Sequence, residues 1–254
     1  MMRYTTNQAE TRASKPFSTK TPALAPPPVI SAGLLSTLEG TTVPPAPSAT
    51  AFPVVDQLCS PLENVDLVDL PRLVSDGYRP PPKGSDERHQ GVDFAYYHWK
   101  GKGPIEGTEI RSVLPGMVSV SEKDSFPFGN VLVIETQGER LPPEIREAFE
   151  VDDGYSLFAL YGHMKAGSPL VELGQQVSAC QTIGYVGKTG NTQAPHLHFE
   201  TRVGPAGLNL DGFSLYIDTA TEQEKKNYRL WSISGEYLTF DPLLLLSFQF
   251  PQSR

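Results

Sequence analysis

Cysteine is nearly absent from this chain: Cys59 and Cys180 are the only two in 254 residues. Neither has a CxxC partner or a histidine at metal spacing, which argues against a thiolate zinc site. By number alone one disulfide is allowed in an oxidising compartment, and two unpaired small apolar side chains are equally compatible. Long apolar runs are missing as well. Nothing approaches the ~20 residues of a membrane span. The run VISAGLLSTL at 29–38 follows three prolines and has no basic flank, so the chain as given shows no export signal. Basic clusters are the third absence. With 21 Lys and Arg against 29 Asp and Glu, the net charge of −8 argues against a nucleic-acid partner.

What is present is unevenly spread. Residues 1–50 hold eight prolines and fourteen Ser or Thr, with Tyr4 and Phe17 as the only aromatics. Such a segment buries too little apolar surface to offset its ordering entropy, so a disordered arm or linker is expected there. Residues 51–77 are a more apolar lead-in expected to pack on the domain, and 78–248 form the domain itself. RPPPKG at its start excludes helix. Beyond it the chain reads as mainly antiparallel β. GVDFAYYHW, EIRSVLPGMVSVSE, NVLVIETQ, YSLFALYGHM and QTIGYVGKTG are β-branched or aromatic runs between Gly, Pro, Asn and Asp turns. LLLLSF after Pro242 reads as a buried last strand. Two insertions carry short helices. Residues 137–155 include PPEIREAFE, which starts on proline. The excursion after Arg202 includes TATEQEKKNYRLW, with Thr219 or Thr221 as N-cap. Both are expected to wall a groove.

Four of the five histidines lie in three short motifs, HQGVDF, YGHM and APHLHFE. Strand alternation sends His196 and His198 to one face and Leu197 to the other. His89 and Asp93 are four apart, so a strand puts them on one face too, with Gly91 permitting close packing or a bend. Imidazole and carboxylate suit a divalent ion such as zinc, and three protein ligands with an open fourth position is the catalytic pattern. His89, Asp93 and one histidine of the HLH pair satisfy it and leave two histidines for proton chemistry. Glu200 shares the histidine face, either to orient an imidazole or as an exposed carboxylate. Tyr161 offers a hydroxyl to the groove or packs in the core. Asn191, in the turn before HLH, shapes that loop or touches substrate. His98, in YYHWK, lies outside the motifs and reads as a surface or groove-edge residue.

HxGxD, then YGH, then GYVGKTGN leading into PHLHFE, in that order, closely resembles the lysostaphin/LytM-type zinc endopeptidases of bacterial cell walls. The resemblance covers roughly residues 78–201, with FDP at 240–242 as a continuation. It implies a β-rich, sandwich-like duplicated hybrid motif with an open groove. It implies one zinc ion per chain, held by His89, Asp93 and His198. His163 and His196 then act on the reacting groups, as general base and transition-state stabiliser in an order it does not fix. The implied substrate is a peptide of peptidoglycan, the implied location extracytoplasmic, and the chain is expected to be a monomer. A non-catalytic wall-binding or regulatory member is the alternative, and a histidine phosphocarrier of the same fold is a third. Cys180 stands where the family usually has glycine.

Overall fold

The computed structural model describes residues 55–97, 99 and 101–250. The proline-rich segment 1–50 and His98 lie outside them. The large sheet is built from β1 (Val74–Asp76), β2 (Val92–Phe94), β4 (Gly116–Ser125), β5 (Gly129–Gln137), β6 (Tyr155–Met164), β7 (Gln176–Val177), β9 (Leu197–Pro205) and β10 (Leu238–Phe240). Its order is β1-β2-β9-β6-β5-β4-β7, all antiparallel. β10 pairs with residues 201–203 of β9 and β2 with residues 197–199, so the two short strands sit end to end along one edge of β9. β3 (Glu109–Arg111) and β8 (Thr182–Tyr185) form a separate pair.

Both faces of the large sheet are covered, which explains why β5 and β9 are buried almost end to end rather than alternating. One face, with Leu132, Ile134, Tyr161, Leu197 and Phe199, packs against Ile110 and Ile183 of the small sheet and Leu62, Leu70 and Leu73 of the lead-in. The other face, with Val131, Val133, Phe158 and Leu160, is covered by Phe213 and by Tyr228 and Trp231 of α2 (Glu222–Ser232). α2 begins on a capping box: Glu224 N–H donates to Thr221 Oγ1 and Thr221 N–H to Glu224 Oε2. A disulfide joins Cys59 in the lead-in to Cys180 in the turn before β8, closing the alternative that composition leaves open.

Three expectations need correction. LLLLSF is not a strand: Pro242–Leu246 is the short helix α3, where Asp241 caps the Leu243 N–H and Pro242 opens the first turn. The burial follows a helical pattern, with Leu245 and Leu246 inside and Leu244 out. GVDFAYYHW supplies only the three residues of β2, so His89 precedes the strand instead of sharing it with Asp93. The 137–155 insertion does form a helix, α1 (Pro143–Ala148), but it does not line the cleft over the histidine cluster. It leaves β5 at Gln137, seven residues or roughly 23 Å along the strand from Asn130 at the site end, and plugs Ile145 into the core.

Candidate metal centre

The centre is assembled where β2, β6 and β9 lie side by side. Asp93 is opposite His198 across β2 and β9, and Gly162 of β6 flanks His198 on the other side. His89 reaches the same point from the loop before β2. Gly91 makes that possible: a Cβ there would stand 2.4 Å from the Phe199 carbonyl oxygen, so only glycine lets the loop lie against β9. His163 arrives by a different device. β6 carries an extra residue between its pairings Leu132–Tyr161 and Asn130–Met164, and His163 takes φ +57° there. This bulge turns the imidazole toward the site, with the His163 N–H donating to Phe128 O at 2.7 Å.

Three ligand atoms converge. His89 Nε2, Asp93 Oδ1 and His198 Nδ1 form a triangle with edges of 3.0, 3.1 and 2.9 Å. Three ligands of a tetrahedral ion at 2.0–2.1 Å stand about 3.3 Å apart, so this donor set fits a zinc ion with little adjustment. It is the one His/Asp/Glu/Cys group among the described residues with that compactness. The tautomers agree with it. His89 Nδ1 faces the Gly77 carbonyl at 3.0 Å, which can only accept, so Nε2 is left bare toward the cluster. His198 Nε2 faces Glu200 Oε1 at 3.0 Å, so the neutral ring keeps its proton on Nε2 and has Nδ1 bare. Glu200 is fully buried and is therefore an orienting acceptor, the first of its two sequence readings.

His163 and His196 stand beside the cluster, their rings 4.6 Å apart between centroids. His163 Nδ1 donates to Thr189 O at 2.8 Å and His196 Nδ1 to Ala194 O at 2.9 Å, so both present a bare Nε2. His196 Nε2 is 3.4 Å from Asp93 Oδ2, the carboxylate oxygen outside the triangle. Burial alone would raise the Asp93 carboxyl, but the imidazoles of His196, His198 and His89 packed around it hold it well below the usual carboxylate range. Burial opposes a proton on His198 too, yet Asp93 and Glu200 outweigh it and raise that imidazole to about 10. His163 goes the other way: burial, then the neighbouring His198 and His196, lowers it to about 3.

These groups floor a cleft of about 300 Å3. Pro127, Phe128 and Asn191 line it together with Tyr228 and Ser232 of α2. Asp86 accepts from the hydroxyls of Tyr216 at 2.9 Å and Tyr228 at 2.7 Å, binding the loop before His89 to the excursion that carries α2. Of the two substrate-contact expectations, Asn191 lies exposed on the cleft. Tyr161 does not reach it. It pairs with Phe199 on the core face, is fully buried, and its hydroxyl accepts from Val113 N–H at 2.9 Å. Arg202 and Gln90, both buried beside Glu200, were not anticipated from sequence, although Arg202 is two residues past Glu200 on the same strand face.

Residues 144–210, which carry His163, His196 and His198, match Peptidase family M23. The DD-carboxypeptidase/endopeptidase Mpg of Neisseria meningitidis is 28% identical over 54% of this chain and 25% of its own length. The murein hydrolase activator EnvC of Escherichia coli is 33% identical over 41% of this chain and 20% of its own. The chain thus spans a quarter or less of these two relatives. The catalytic domain of lysostaphin from Staphylococcus simulans aligns at 22% identity over 68% of this chain and 91% of that domain, with a TM-score of 0.40. The family match falls on YGH and HLH, the motifs that hold three of the four clustered histidines, so over those residues the chain is similar to the M23 peptidases, as the sequence resemblance implies.

Proposed function

We propose that this chain is a zinc endopeptidase that hydrolyses amide bonds in the peptides of bacterial peptidoglycan. The observation that carries the reading is the convergence of His89 Nε2, Asp93 Oδ1 and His198 Nδ1 with two further bare imidazole nitrogens beside them. An endopeptidase is what the name of the Mpg relative describes for that protein. When bound, zinc supplies a Lewis acid that polarises a carbonyl oxygen and acidifies water near neutral pH.

The chain's own residues do the rest. His89, Asp93 and His198 would hold the ion, and the Asp93 carboxylate would offset part of its charge, leaving a net positive site for the carbonyl oxygen of the scissile amide. His163 and His196, neutral with Nε2 facing the cleft, take a proton from the attacking water or return it to the departing amine. The Nδ1 bonds to Thr189 O and Ala194 O keep both rings in that tautomer. The imidazole that takes the proton of the water becomes an imidazolium, which stabilises the developing oxyanion until it hands that proton to the departing amine. Asn191 on the rim contacts the substrate backbone. A wall substrate places the working protein outside the cytoplasm, where the Cys59–Cys180 bridge persists.

The alternative, a non-catalytic wall-binding or regulatory member of the same fold, is disfavoured by the completeness of the site: all five side chains are present and brought together. Metal analysis separates the two. One zinc per chain and release of wall peptides support the peptidase, whereas a metal-free chain that releases none is the non-catalytic protein.

A further inference from the structure

Behind the metal triangle lies a second buried cluster that the reaction itself does not use. Arg202 is 1% exposed, yet all five of its N–H groups are taken. Nε and Nη2 donate to Glu200 Oε2 at 3.0 and 2.7 Å, and Nη2 also to Gln90 Oε1. Nη1 donates to Trp231 O at 2.7 Å and Tyr237 O at 3.2 Å, and the guanidinium lies 4.6 Å from the Trp231 ring centroid. Gln90, next to His89, completes the ring by donating to Ser232 O at 3.2 Å. Trp231 and Ser232 end α2, where carbonyls have no partner within the helix and carry the negative end of its dipole. One contact leads out of this cluster, from Glu200 Oε1 to His198 Nε2.

We infer that Glu200 and Arg202 form a clamp that orients His198 toward the metal, anchored on the last turn of α2. The inference rests on the reading of His198 as a ligand. Arg202 holds Glu200 through one carboxylate oxygen and leaves the other to accept from His198. That fixes the ring with Nδ1 toward His89 and Asp93. Through Gln90 the same guanidinium steadies the loop that delivers His89. The excursion after β9 therefore has two roles: Tyr228 and Ser232 wall the cleft, and its helix end sets the ligand geometry. Glu200, Arg202 and Gln90 are positioning residues, since none of them faces the bare ligand atoms.

Metal binding tests this without reference to turnover. The full chain is stripped with a chelator, and zinc affinity is measured by competition with a chromophoric chelator, with the visible spectrum of the Co2+ form as a second readout. Glu200→Gln cannot accept from both neighbours, because its amide offers one oxygen. The double variant Glu200→Gln/Arg202→Met removes the pair without leaving a lone buried charge. Both should bind zinc about 10–100-fold more weakly and shift the Co2+ bands. If the double variant fails to melt cooperatively, Glu200→Gln decides alone. A folded variant with wild-type zinc affinity and an unshifted Co2+ spectrum overturns the clamp while leaving the metal site standing. A wild-type chain that takes up no zinc, or a His198→Ala variant that binds it as tightly, overturns the ligand reading and the clamp with it.

Discussion

The two imidazoles beside the metal triangle differ from the two within it in what their Nδ1 atoms do. His163 and His196 give Nδ1 to loop carbonyls and keep Nε2 for the cleft, whereas His198 gives Nε2 to Glu200 and keeps Nδ1 for the ion. Replacing His163 or His196 with alanine should lower kcat/KM by about 10²–10⁴-fold while zinc content stays close to wild type. His198→Ala should lose both. Zinc loss in His196→Ala with zinc retained in His198→Ala would mean that the two roles are exchanged. The protonation of His198 gives a second prediction. In the metal-free chain its value is raised to about 10, so at neutral pH the site holds a proton that zinc must displace. Below about 10, apparent zinc affinity should rise by up to tenfold per pH unit, and calorimetry in buffers of different ionisation enthalpy should detect proton release at pH 7.5. No release at that pH contradicts the assignment. At this scale the candidate ligands, which the fold does bring together, are nameable from sequence because HxGxD and HLH confine them to short motifs. Tyr161 misleads because it precedes the bulge: alternation sends it to the core, and the bulge then redirects His163 alone.

Among the elements, β9 and α2 do most to place the site. β9 is legible as a strand, and its alternation correctly assigns Leu197 to the core and His198 to the cleft. The start of α2, which the capping box with Glu224 places at Thr221, is legible to within two residues as Thr219 or Thr221. Its destination is not, since nothing local to the helix shows that Trp231 and Ser232 will meet Arg202. The same limit explains the 137–155 insertion. Composition shows a helix, but only the pairing of β5 with β6 shows that it emerges at the end away from the site. Thr221→Ala removes a cap bond and should destabilise the chain by about 1 kcal/mol in denaturant unfolding. Zinc affinity should fall little, since the clamp holds the opposite end of α2. A large loss of zinc with an unchanged unfolding midpoint would contradict that separation.

For the whole molecule, the lead-in is fastened to the domain by Leu62, Leu70 and Leu73 in the core and by the Cys59–Cys180 bridge. Cys180 takes φ +62°, the left-handed region where the family usually has glycine, so the residue type that departs from the pattern serves the bridge instead. The bridge spans 121 residues. Cys59→Ser/Cys180→Ser should cost about 2–5 kcal/mol, read as a lower melting temperature, with zinc binding unchanged because neither residue lines the cleft. An unaltered melting temperature would show that apolar packing alone secures the lead-in. The bridge is beyond sequence reading because two cysteines pair only if the fold brings them together. The most direct test of the peptidase assignment is mass spectrometry of material released from purified sacculi by the zinc-loaded chain. The wild-type protein should release fragments with a new amine and a new carboxylate at one defined amide bond, and His198→Ala should release none. Intact sacculi after incubation with a chain that carries one zinc would contradict the account.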